Sequence, residues 1–122
     1  MRNEKIYAMS FAKIYPLLVA KAVKKGRSEE EVNQVIQWLT GYDLDGINEA
    51  VRSAVTYEGF FRNAPLLNPD RKLITGKVCG IRVEEIEEPL MREIRYLDKL
   101  IDDLSKGKRM DKILFKTAKS EQ

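Results

Sequence analysis

Apolar side chains recur along most of the chain at the three- and four-residue spacing that places them on one face of an α-helix. The clearest stripe lies between Pro89 and Lys106, at positions Leu90, Ile94, Leu97, Ile101 and Leu104. This spacing predicts one long amphipathic helix that begins at the proline and ends before Gly107. The pattern predicts an all-α fold of five to seven helices, with this helix packed at its centre.

N-cap residues followed by apolar stripes predict four more helices in the first half of the chain. These helices are predicted to span residues 10–25, 28–41, 43–55 and 56–64. The clearest start is Ser28, because Glu31 follows it at the spacing of a capping box and Gly41 is suited to close the helix. In the first helix, Pro16 either makes a kink or marks the true start.

The segment between residues 68 and 83 admits two interpretations. Asn68 and Pro69 are typical of a helix start, and the apolar spacing after them favours a helix that ends at Gly80. The competing interpretation is a pair of strands, because many side chains in the segment are β-branched. We favour the helix, with a minor β element near residues 73–83 as the alternative. A short final helix is predicted over residues 111–115, with a frayed end near Gln122.

The composition predicts one domain. The chain has 122 residues, of which 43% are hydrophobic and 34% charged, and a domain of this size can bury a core without a disulfide or a metal. We expect a single helical domain over residues 1–122, ordered over about residues 5–116. One cysteine cannot form an intramolecular disulfide, and the longest apolar run, residues 16–20, is far too short to cross a bilayer. We therefore expect a cytoplasmic protein that does not enter the membrane.

The sequence contains no histidine, which excludes the Ser-His-Asp triad, the Cys-His pair and histidine-ligated metal sites. A single cysteine cannot complete a four-thiolate metal site within one chain. The scattered glycines form no phosphate-binding loop. No metal or other cofactor is therefore predicted. The sequence does not decide whether the protein is an enzyme.

Charge is distributed in long blocks of alternating sign. Net charges of +6, −6, +4, −5 and +5 fall on residues 1–27, 28–70, 71–83, 84–104 and 105–119. Blocks of opposite sign can pair within the fold or across a dimer, where two-fold symmetry makes the pairing reciprocal. With little catalytic equipment present, the blocks favour a helical interaction module that forms a homo-oligomer or binds a protein partner.

The strongest candidate for chemistry is the segment from Thr75 to Arg82. Its glycines allow close backbone approach, Lys77 and Arg82 could hold an anion, and Cys79 could act as a thiol. Thr75, Lys77, Cys79 and Arg82 therefore form the candidate ligand site of a small anion-binding protein or enzyme. The alternative is structural, because a cysteine is commonly a small apolar core residue, and at a helix C-terminus its thiol would be less reactive.

A third hypothesis is weak, non-specific binding of nucleic acid through the basic ends of the chain, including residues 106–116. A helix-turn-helix interpretation of residues 38–52 fails, because the second helix begins with three acids that repel phosphates. Trp38 and Tyr42 are instead predicted to pack at a tight corner. The net charge of +3 is modest for a nucleic-acid binder, and we do not expect nucleic acid as a partner.

Three longer segments carry a resemblance to a known family. They are residues 68–71, 74–86 and 89–100, and shorter motifs at 9–12, 15–16, 24–27 and 38–43 accompany them. Together they resemble a prokaryotic family classed as domain of unknown function number two-thousand-two-hundred, over about residues 5–115. The resemblance implies a small stand-alone bacterial or archaeal protein. It implies no activity, ligand or catalytic residue.

Overall fold

The longest helix, α6, lies at the centre of the molecule. The computed structural model describes residues 2–114, and within that range there are seven α-helices, two short 3-10 helices and one two-stranded sheet. The α-helices are α1 Arg2–Ala8, α2 Phe11–Lys24, α3 Glu29–Thr40, α4 Leu44–Ser53, α5 Tyr57–Arg62, α6 Pro89–Ser105 and α7 Met110–Ile113. The predicted all-α fold is confirmed, and none of the described helices is long and apolar enough to cross a membrane.

The predicted central packing of α6 is also confirmed. The helix begins at Pro89 and buries Ile94, Leu97, Ile101 and Leu104 from the predicted stripe. Helices α2, α3, α5 and α7 and the first strand all pack against it. Because neighbours surround α6, its apolar side chains form the middle of one continuous core.

The start and end of α3 follow the sequence signals. The Ser28 side chain accepts the Glu31 N–H at 3.1 Å, and the Glu31 carboxylate accepts the Ser28 N–H at 3.0 Å, which completes the predicted capping box. Gly41 ends the helix with a left-handed φ of 80°. A Cβ atom at Gly41 would lie 2.7 Å from the backbone nitrogen of Leu66, so this position also requires a residue without a side chain.

The N-terminal part differs from the prediction in two ways. Helix α1 precedes the first predicted helix, and α2 begins at Phe11, so the interpretation of Pro16 as a helix start is wrong and Pro16 lies inside the helix. Residues 9–11 pair with residues 55–57 as a short bridge. Phe11 N donates to Val55 O at 2.6 Å, and Tyr57 N donates to Met9 O at 2.7 Å. These bonds satisfy the backbone groups between α1 and α2.

The prediction of a helix that ends at Gly80 is wrong, and the β element given as its alternative is present. The chain forms a 3-10 helix at Pro69–Leu73 and then a hairpin of β1, Lys77–Val78, and β2, Ile81–Arg82. Positive φ angles at Gly76, Cys79 and Gly80 are incompatible with a right-handed helix. A second 3-10 helix, Val83–Glu85, follows. At the chain end α7 stops at Ile113; the predicted helix end at Phe115, the order boundary near 116 and Gln122 lie outside the described residues.

Candidate functional site

Three of the four candidate ligand residues lie on the hairpin. Lys77 is the cross-strand partner of Arg82, so their side chains share one face. The two-residue turn between the strands consists of Cys79 and Gly80, with φ angles of 54° and 79°. Positive φ at both central residues is the geometry of a type I′ turn. The hairpin therefore presents two cations near a thiol at its tip.

Cys79 is exposed, and a cation from α6 reaches it. Arg95 Nη1 lies 3.7 Å from Cys79 Sγ and donates to Asp98 Oδ2 at 2.8 Å. The alternative of a buried apolar cysteine is wrong, and so is its placement at a helix C-terminus, because the residue lies in an exposed turn. The sequence analysis missed Arg95, whose only signal is a basic residue beside the apolar stripe of α6.

Thr75 lies apart from the hairpin tip. It lines a cavity of about 110 Å³ with Lys108 and Lys112, and the other three candidate residues do not line it. Arg82 instead pairs with Glu84, with Nη1 and Oε2 3.5 Å apart. The structure thus brings Lys77, Cys79 and Arg82 together and separates Thr75 from them.

A buried polar cluster adjoins Arg95. Tyr57 is 2% exposed, and its hydroxyl makes no hydrogen bond within the described part of the chain. Burial raises the pKa of Tyr57 well above its ordinary value, and the Asp98 carboxylate raises it further. Burial also raises the pKa of Asp98, although Arg95 and Lys21 oppose this effect. Arg95 and Asp98 form an ion pair, and the Arg95 guanidinium is the member of that pair that contacts Cys79.

An apolar groove of about 420 Å³ runs along the outer side of α2. It is lined by Tyr15, Pro16, Val19, Ala20, Val23 and, from α3, Glu29. Val23 is 52% exposed, and nearby Leu17 is 63% exposed. The Tyr15 hydroxyl lies 2.7 Å from both Glu29 Oε2 and Asn33 Oδ1, which fixes α2 against α3. Burial and Glu29 raise the pKa of Tyr15 to about 12, so the phenol remains neutral at physiological pH.

The two edges of this groove carry opposite charge. Lys13 and Lys24 lie at helical spacing from the groove residues, on the solvent side of α2. Neither lysine forms an ion pair within residues 2–114. The opposite edge is formed by the start of α3, where Glu29 lines the groove and its neighbour Glu30 lines a separate cavity together with exposed Leu44. We call the groove and its two charged edges the α2–α3 face.

A second groove of about 420 Å³ lies between α1, α5 and α6, but its charged groups already have partners. Arg62 pairs with Glu58 at 2.7 Å. Asn3 donates to Glu88 at 2.6 Å, and Arg71 holds Glu93 at 2.8 Å. Burial and then Glu88 raise the pKa of Tyr7, which lines the groove, to about 12. Because its charges are satisfied internally, we assign this groove no function.

The basic segment near the chain end is partly neutralised by its neighbours. Lys106 pairs with Asp102 at 3.0 Å, and Arg109 pairs with Asp111 at 2.7 Å. Trp38 and Tyr42 pack against the core at the corner between α3 and α4, as predicted. In the described part of the chain, no group of three acidic or cysteine side chains is placed to hold a metal ion. The expectation about nucleic acid stays a prediction.

Two comparisons place the chain among known proteins. The model of a family described as uncharacterized protein conserved in bacteria, DUF2200, matches residues 5–115. The crystal structure of uncharacterized protein SP1917 is similar, with 49% sequence identity, a TM-score of 0.87 and coverage of 98% of this chain and 95% of that chain. A comparison with curated proteins gave no match. The likeness extends over almost the whole fold, and neither description names an activity.

Proposed function

Because the chain belongs to the DUF2200 family of bacterial proteins, whose description names no activity, we propose its function from its surface: a cytoplasmic interaction module that pairs with a second copy of itself through the α2–α3 face. The observation that carries this proposal is the apolar groove on α2, where Val23 is half exposed. An exposed apolar groove with polar edges is typical of a protein–protein interface.

A second copy is the occupant that fits the charges best. Lys13 and Lys24 border one edge of the groove, and Glu29 and Glu30 border the other. When two such faces meet about a two-fold axis, the basic edge of each copy lies against the acidic edge of the other. The same patch thus supplies both halves of the interaction, and the charges set its orientation more than its strength.

The test is the oligomeric state of the full chain, measured by sedimentation equilibrium. The wild-type chain is expected to be a dimer, and Val23→Glu is expected to be a monomer at the same concentration because it places a charge in the groove. Leu66→Glu is the matched control, because Leu66 is 70% exposed and lies outside the α2–α3 face. A monomeric wild-type chain, or a Val23→Glu variant that still dimerises, would overturn the proposal.

Charge reversal tests the orientation separately. Lys24→Glu alone and Glu30→Lys alone are each expected to weaken the dimer, because each makes like charges meet across the two-fold axis. The double variant restores opposite charges and is expected to dimerise like the wild type. If the double variant is weaker than either single variant, the two edges do not meet.

A second candidate function is anion recognition at the hairpin by Lys77, Cys79 and Arg82, without Thr75, which lines a separate cavity. The observation that favours it is the contact between the Arg95 guanidinium and Cys79 Sγ. Neighbouring cations attract anionic reagents to a thiol. The test compares the reaction rates of two reagents, an aromatic disulfide that carries carboxylates and an uncharged dipyridyl disulfide. The ratio of the first rate to the second is expected to be several-fold higher for Cys79 than for a free thiol. Lys77→Gln and Arg82→Gln should each reduce that preference, while Arg95 retains part of it; an unchanged preference in both variants excludes the site.

A further inference from the structure

The fold brings together two basic segments that lie far apart in the sequence. Residues 73–75 lie beside the C-terminal half of α6 and beside α7. The cavity of about 110 Å³ lies between these segments. The polar residues that line it are Thr75, Lys108, Lys112 and Asp103. The apolar part of its lining consists of the buried residues Ile74, Leu100 and Ile113 and the half-exposed Leu73.

The position of Thr75 is set by the residue that follows it. Gly76 N donates to Glu84 Oε1 at 3.0 Å, and Gly76 O accepts the Val83 N–H at 3.0 Å. A Cβ atom at Gly76 would lie 2.8 Å from Cε of Lys99, so the loop is pressed against α6. The backbone next to Thr75 is therefore fixed, because both the N–H and the carbonyl of Gly76 are hydrogen-bonded.

The balance of charge in this cavity is positive. Asp103 is its one acidic lining residue, and it is already engaged by Lys99 at 2.7 Å and by Lys108 at 3.5 Å. Lys112 forms no ion pair in residues 2–114. The lining thus holds two lysines and one carboxylate, and Lys99 pairs with that carboxylate from outside the lining. The apolar residues beside them lower the local dielectric and so strengthen the attraction for an anion.

We propose that this cavity binds one phosphate-type oxyanion, which accepts hydrogen bonds from the Thr75 hydroxyl and from the ammonium groups of Lys108 and Lys112. The volume admits a single oxyanion group, so the rest of a phosphate monoester would extend into solvent. Lysine serves here as a point charge, which suits a tetrahedral anion without a fixed bidentate geometry. The site shares no residue with the hairpin candidate and does not involve the α2–α3 face.

The test is titration of the full chain with inorganic phosphate, followed by amide chemical shifts. Shifts are expected at Thr75, Lys108 and Lys112. Lys112→Gln is expected to weaken phosphate binding about fivefold to tenfold, and Thr75→Val about threefold. The matched control is Lys25→Gln, which removes the same charge from an exposed position after α2 and should change binding less than about twofold.

Three results would overturn the site. The first is that Lys112→Gln and Lys25→Gln weaken phosphate binding equally. The second is that the amide shifts are confined to the hairpin and binding is lost in Lys77→Gln. The third is that no amide shift saturates at millimolar phosphate. A second titration, with a small phosphate monoester, distinguishes the source of the group. Affinity equal to or higher than that of inorganic phosphate supports an open site that takes an esterified phosphate. A complete loss of binding with the ester supports a site for the free anion.

Discussion

Arg27 holds Glu31 through two parallel hydrogen bonds, from Nε to Oε1 at 3.1 Å and from Nη2 to Oε2 at 2.8 Å. Its third nitrogen, Nη1, donates to the carbonyl oxygens of Leu104 and Lys108 at 3.1 and 2.7 Å. One side chain therefore ties the start of α3 to the end of α6. The bonds from Arg27, and then the Ser28 N–H, lower the pKa of Glu31 from 4.5 to about 2.

The first prediction concerns pH. Because the pKa of Glu31 is lower in the folded chain, its ionised form stabilises the fold above about pH 4.5, and this stabilisation is lost as the pH falls towards 2. Glu31→Gln can keep the capping bond but loses the ion pair, so we expect its free energy of unfolding to be about 1 kcal/mol lower at pH 7. Denaturant titrations of both proteins should converge near pH 2.

The control for this experiment is Glu87→Gln, which removes an exposed carboxylate outside the α2–α3 face. It should change the free energy of unfolding by less than about 0.5 kcal/mol at any pH. A difference between wild type and Glu31→Gln that stays constant from pH 7 to pH 2 would contradict the assigned role of the ion pair.

The second prediction separates backbone strain from steric clash. Gly26 and Gly41 both have left-handed φ angles, of 87° and 80°. A Cβ at Gly26 meets nothing within 4 Å, whereas one at Gly41 meets the Leu66 backbone. Gly26→Ala should therefore lower the free energy of unfolding by roughly 1 kcal/mol, and Gly41→Ala by roughly 2–4 kcal/mol. Equal losses in thermal or chemical unfolding would show that Leu66 moves away at no cost.

The third prediction concerns the turn at Cys79. Asparagine tolerates positive φ better than cysteine does, and Asn-Gly is the preferred pair in a type I′ turn. Cys79→Asn is expected to raise the free energy of unfolding by about 0.5–1 kcal/mol, and Cys79→Val to lower it by roughly 1–2 kcal/mol because β-branched residues resist positive φ. Chemical denaturation measures both changes. The reverse order of stability would refute the turn geometry.

The fourth prediction concerns the ion pair of Arg71 and Glu93, whose side chains are only 14% and 16% exposed. Arg71 Nε contacts both oxygens of Glu93, at 2.8 and 3.1 Å. Arg71→Met leaves a carboxylate in poor contact with water and is expected to lower the free energy of unfolding by about 2–3 kcal/mol. The double variant with Glu93→Leu should recover most of this loss. A double-mutant cycle with no coupling would contradict the pairing.

The helices that follow local rules could be predicted from the sequence. Pro89 and the apolar stripe after it locate α6, and the Ser28–Glu31 box locates α3. The hairpin could not be predicted with the same security, because Gly80 suits both a helix end and a type I′ turn, and cysteine is uncommon at positive φ. Helix α1 was missed because no cap or clear stripe marks it; its place depends on the pairing of residues 9–11 with 55–57.

The site was harder to predict, because its residues meet only in three dimensions. Sequence analysis placed Lys77, Cys79 and Arg82 in one segment, and they share the hairpin, but nothing local indicates that Arg95 reaches the thiol. Lys108 and Lys112 are 33 or more positions beyond Thr75, so only the packing of α7 reveals their common cavity. The groove on α2 was not predicted, because the spacing of Phe11, Ile14, Leu18 and Ala22 indicates only the side of the helix that faces the core. The apolar residues on the other side have no pattern that distinguishes a groove from an ordinary surface.

The position of α6 after α2, α3 and α5 has a consequence for synthesis. Helices α2, α3 and α5 all pack on it, and all three precede it in the sequence, so an interval separates their synthesis from that of α6. During that interval the stripes that will face α6 have no cover, and the nascent polypeptide is open to chaperones and proteases. The core therefore closes only after residues 89–105 have been translated, and a transcript cut short before Pro89 yields a product that cannot complete its interior.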